Sequence, residues 1–135
     1  MYLIYMIMPG YVRHDSVNYI ITQPCDAGVM IAFTLEFLIS FILMLTVLYS
    51  NSDNKLNGYT AYLVAILIAL FITFEAPYSG MSMNPARSFA SAIVSGEWKG
   101  FWLYCIAPPA GMICAELFIT RVLKIRLKRI TLHND

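Results

Sequence analysis

Charge is scarce in this sequence. Of 135 residues, 13% are Asp, Glu, Lys or Arg, and the formal net charge is +1. That is about half the charged share of ordinary soluble domains. A soluble domain of this size has too much surface to cover with so few charges. The balance also excludes a nucleic-acid binder, because the few basic residues are not spread over a soluble face. Cysteine is sparse too: three residues, an odd number. Cys105 and Cys114 sit inside an apolar run and Cys25 in a loop segment, which excludes a disulfide scaffold. His14 and His133, the two histidines, lie far apart, so no metal site suggests itself and no cofactor is implied. No nucleophile–base set and no phosphate-binding loop is present, so the reading is not an enzyme.

Apolar residues are abundant instead. They make up 59% of the chain, against roughly 45–50% in soluble domains, and the mean hydropathy is +0.67. The class is an all-α, multi-pass integral membrane protein in a lipid bilayer. A spanning helix needs about 20 mostly apolar residues. Three segments qualify: 28–49, 59–77 and 100–120. Each contains one acid, respectively Glu36, Glu75 and Glu116. Glu75 and Glu116 lie nearer the segment ends, where snorkelling or an interfacial contact is the simpler reading. The opening run MYLIYMIM is apolar but reaches only about 12 Å as a helix. It reads as the tail of a preceding span, with 9–27 as an extracellular loop. No Lys or Arg precedes Arg13 and no cleavage site follows, so it is not a signal peptide.

Orientation follows from the basic residues. The tail 122–135, with Arg121 just before it, holds Lys124, Arg126, Lys128 and Arg129 and no acid until Asp135. It is expected to be cytoplasmic. Alanines 61, 65 and 69 in the second segment, and Ala107, Gly111 and Ala115 in the third, are spaced for close helix approach. Pro108 and Pro109 should kink the third segment. Trp98, Trp102 and Tyr104 fit an interfacial aromatic belt.

The stretch 79–96 carries the chemistry. Asn84-Pro85 is a helix-start signal: Asn is a favoured cap, and Pro suits the first helical position because its missing N–H would be unpaired there anyway. A helix from Asn84 to Ile93 would be about 15 Å long, half the hydrocarbon depth. Before it, Ser79 to Met83 reads as an extended arm. Arm and half-helix together make a re-entrant loop, and irregular backbone at membrane depth is tolerated only where it is buried in protein or lines a watery path. The half-helix brings a positive dipole end near the midplane.

The strings AFTLEF (32–37), SGMSMNPARSF (79–89) and WLYCIAPPAG (102–111) resemble the aquaporin, or major intrinsic protein, family. The resemblance covers roughly residues 1–121 and implies half of an aquaporin-like bundle: the second of two inverted repeats, with three spans and a re-entrant NPA half-helix. The first repeat would be a missing partner, and a completed protein would be a homotetramer. The implied function is passive passage of water or small neutral solutes. The alternatives are a non-conducting truncated or split-gene fragment, or a half-protein packing against full-length channels.

The resemblance also implies roles. Asn84, Pro85 and Ala86 form the pore motif, with the Asn84 amide donating to passing water. Arg87 belongs to the narrow filter on the outer side, where it donates hydrogen bonds and repels cations. Ile72 and Met81 stand at two further filter positions, with core packing as the alternative reading of each. Water channels commonly carry His where this chain has Ile72, so the filter would be apolar there. Glu36 would accept hydrogen bonds from backbone N–H groups of the re-entrant loop. Ser88, Ala92 and Tyr104 fit the water type, whereas Cys105 stands where water channels usually place Trp.

Overall fold

The computed structural model describes residues 2–14, 21–24 and 28–131. Cys25, most of the loop before the first span, and Asp135 lie outside the described residues. No strand occurs among those described. Two short helices, α1 (Tyr2–Ile7) and α2 (Pro9–Arg13), open the chain. Helix α3 (Val29–Ser52) follows, then a single 3-10 turn (Asn57–Tyr59) leading into α4 (Thr60–Phe74). A four-residue helix, α5 (Ala76–Ser79), precedes α6 (Pro85–Ser95), and α7 (Phe101–Thr131) closes the fold.

Three stretches are long and apolar enough to cross a bilayer: Val29–Ser52, Asn57–Phe74 and Phe101–Val122. At about 1.5 Å per residue each reaches roughly the ~30 Å of hydrocarbon. The second span stops short of Pro77. Helix α4 ends at Phe74, and Pro77, which has no N–H to donate, sits in the first turn of α5 instead.

Helices α3 and α7 form the main packed pair. Gly111 shows why they approach so closely: a Cβ there would lie 2.3 Å from the Phe37 carbonyl oxygen. Ala107 and Ala115, one turn either side, are fully buried. Ala32, Leu103 and Tyr104 form one apolar cluster, flanked by Val29 and Phe33. Tyr104 is therefore wholly buried rather than part of an interfacial belt. Ile39, Met81 and Met83 form a second cluster with Leu43, Ile68, Phe71 and Ala76, which ties α3, α4 and the loop before α6 together. Helix α7 continues through Pro108 and Pro109. Those prolines and Met112 border a cleft of about 230 Å³ with Met83, Asn84 and Pro85.

Helix α4 behaves differently. Alanines 61, 65 and 69 are exposed, so the small-residue stripe expected to pack helices faces outward. The inward side of α4 is carried by the partly buried Ile68 and Phe71.

Candidate functional site: a re-entrant loop anchored on a buried carboxylate

The site begins where α5 ends. Gly80 caps it in the left-handed conformation, φ 82°. A Cβ at Gly80 would come within 2.9 Å of the Thr22 backbone, so glycine alone lets the segment 21–24 lie against the loop. The next residues are not an extended arm. Met81 and Met83 hold φ of 45° and 53°, in the left-handed region. Each such residue costs about 1–2 kcal/mol, and the offsetting interactions are visible. The bend turns successive N–H groups toward one acceptor: Ser82 N–H donates to Glu36 Oε1 at 2.5 Å and Met83 N–H to Oε2 at 2.8 Å. Ser79 Oγ adds a third donor to Oε1 at 2.9 Å. Glu36 is fully buried on α3, and a carboxylate there is tolerable only with such partners.

Helix α6 starts at Asn84. Its backbone is extended (φ −152°, ψ 120°), and its Oδ1 accepts from Ala86 N–H at 2.9 Å. Pro85 takes the first helical position and Gly96, left-handed, ends the helix. The 11 residues of α6 span about 16 Å, half the hydrocarbon thickness. With Oδ1 committed to Ala86, the donor end of the Asn84 amide is the one that can meet a solute. Asn84, Ala86 and Arg87 are all exposed. The Arg87 guanidinium donates through Nη1 to the Met81 carbonyl, which ties the cation back to the loop.

A buried chain of hydroxyls locks the other side. Thr22 Oγ1 donates to Ser88 Oγ at 2.6 Å, and Ser82 Oγ donates to the Asn84 carbonyl at 2.8 Å. The 2.6 Å contact between Ser82 and Ser88 must then take its hydrogen from Ser88. All three hydrogens thus run one way, from the segment before α3 toward the backbone of Asn84.

The residues singled out from sequence fall into two groups. Glu36, Met81, Asn84 and Arg87 come together in one hydrogen-bonded network, with Pro85 and Ala86 in the first turn of α6. The Met81 side chain is buried in the second apolar cluster, so only its carbonyl reaches Arg87. Ile72 stands outside the network, exposed on α4.

Other members of the network escaped the sequence reading. Glu75, read as a snorkelling acid, is buried at 6% exposure and touches Ser79 Oγ through Oε1. The reason is the break at Phe74: the chain turns inward there, and the four-residue offset places Glu75 beneath Ser79. Tyr104 Oη donates to the Ser79 carbonyl at 2.5 Å. The Glu75–Ser79 spacing was the one available signal. Nothing local marks Thr22, which lies 66 positions from Ser88.

An α-helical integral membrane protein with a half-length helix set between its spans is the class that this architecture defines. The sequence profile of the major intrinsic protein family matches residues 1–119. The chain belongs to that family. It is 44% identical to aquaporin NIP1-2 of Oryza sativa subsp. japonica over 84 residues, 62% of this chain and 28% of that protein. It is 41% identical to aquaporin NIP1-1 of Arabidopsis thaliana over 102 residues, 75% of this chain and 33% of that protein. Identity to aquaporin-4 of Bos taurus is 31% over 121 residues, 78% of this chain and 37% of that protein. The chain thus spans about a third of the length of these relatives.

Proposed function

We propose that this chain supplies the second half of an aquaporin-like pore that passes water and small neutral solutes. The observation that carries the reading is the Asn84-capped half-helix, held at its start by Glu36 and flanked by Arg87. The half-helix aims its positive dipole end at a passing solute. The Asn84 amide donates to the solute oxygen and so orients it. Arg87 provides further donors and a fixed charge that opposes cations and protons, while neutral molecules lose nothing to it. Ile72 and the Met81 carbonyl complete the filter, and Ile72 leaves one wall apolar. The other half of the pore comes from a first repeat, and the completed protein assembles as a homotetramer. The basic tail sets its own end in the cytoplasm and the segment before α3 outside.

The experiment is stopped-flow light scattering on proteoliposomes of a channel completed by a first repeat. Water permeability well above that of protein-free vesicles is the expected result, with ion leak unchanged. Replacing Arg87 with Ala should raise ion leak. Permeability equal to protein-free vesicles, with the protein folded and inserted, would identify a non-conducting half.

A further inference from the structure

The contacts around Ser79 do not balance unless an additional proton is present. Ser79 Oγ touches Glu36 Oε1 on one side and Glu75 Oε1 on the other, and also accepts the Met81 N–H at 3.1 Å. A hydroxyl has one hydrogen, and two ionised carboxylates offer none. One of the two acids must therefore supply a hydrogen. We propose that Glu75 is that acid: a positioning residue whose protonated carboxyl donates to Ser79 Oγ, freeing the serine to donate its own hydrogen to an ionised Glu36.

Two independent features choose Glu75 over Glu36. Glu36 already receives the Ser82 and Met83 N–H groups, one on each oxygen, which is the environment of a carboxylate. The second oxygen of Glu75, Oε2, is buried with no hydrogen-bond partner among the described residues. An orphaned oxygen costs less on a neutral acid than on a carboxylate. The assignment also completes Ser79: it accepts from Met81 N–H and Glu75, donates to Glu36, and its carbonyl accepts from Tyr104. Arg87 is the nearby cation, and its Nη1 is engaged by the Met81 carbonyl. Glu75 thereby acts on the pore motif at second hand, through Ser79 and Glu36, by holding the turn from which Ser82 and Met83 hang. The inference rests on these contacts alone and does not require that the chain conduct.

Infrared spectroscopy of the full chain in lipid nanodiscs at neutral pH tests it. Glu116, the remaining acid within a span, is first removed as Glu116→Gln, so that it adds no signal. The expected spectrum contains the carbonyl band of one protonated carboxylic acid. Glu75→Gln should abolish that band and leave the melting midpoint unchanged, because a glutamine amide donates to Ser79 as the acid does. Glu36→Gln should lower the melting midpoint, since an amide cannot accept from both loop N–H groups. A parent spectrum without the band, or a band that survives Glu75→Gln, overturns the proposal. So does a Glu75→Gln chain that unfolds or melts well below the parent.

Discussion

Two regions of this molecule solve the problem of being apolar in opposite ways. The polar neck formed by α3, α5, the loop, α6 and α7 is hydrogen bonded almost throughout, with Ser40 Oγ and Glu75 Oε2 the exceptions among the described residues. Glu36, Ser79, Ser82 and Ser88 are all nearly or wholly buried, and each is hydrogen bonded. The span Asn57–Phe74, which ends just before α5 begins, has no buried residue, against 39% over the most apolar 18 residues of Phe101–Val122. In the proposed pore this open surface meets lipid on one side and a first repeat on the other. The contrast teaches that the loop is built as one hydrogen-bonded unit, while α4 has little buried surface among the described residues.

The largest effect should come from the neck. Glu36→Ala removes the acceptor of three donors, Ser79 Oγ and the Ser82 and Met83 N–H groups, at about 1–3 kcal/mol each. Folded yield in detergent should collapse, as read by fluorescence-detected size exclusion. Unchanged yield and melting would show that the carboxylate does not hold the loop. Next is Gly111→Val on α7, which drives a side chain into the α3 backbone and should cost about 1–3 kcal/mol or more. Thermal unfolding followed by circular dichroism measures it.

On the open region the expected effects are smaller and of a different kind. Ile72→His in a completed channel should leave folding alone and raise the ratio of water to glycerol permeability by roughly tenfold, the scale of one side chain's discrimination in a pocket. A ratio that does not move would remove Ile72 from the filter. Smallest of all is Ala65→Leu on the exposed stripe of α4. In the chain alone it should shift stability by no more than about 0.5 kcal/mol. A loss as large as that of Gly111→Val would mean that α4 packs within this chain after all, and the contrast would fail.

Legibility in the sequence followed how local each cause is. The three apolar runs and the Asn84-Pro85 start can be read directly, because length, hydropathy and cap chemistry act within a few residues. The role of Glu36 came from resemblance, since nothing near Glu36 in the chain shows that its partners lie 46 and 47 residues on. The burial of Glu75 depends on where α4 stops, a detail set by Pro77, which has no N–H to continue the α4 ladder. Left-handed Met81 and Met83 are invisible in the sequence, because methionine has no preference for that conformation and the contacts that accompany it, to Glu36, Ser79 and Arg87, come from outside the Met81–Met83 stretch. Tyr104 looked interfacial on a pattern of aromatics alone. Its burial depends on the close approach of α7 to α3.

The central claim is that this chain assembles the re-entrant loop by itself. Amide hydrogen exchange of Ser82 and Met83, followed in the chain alone in lipid nanodiscs, tests it most directly. The account predicts strong protection of both amides in the absence of any first repeat, lost on Glu36→Ala. Exchange of Ser82 and Met83 as fast as that of the exposed connection between α3 and α4 would contradict it.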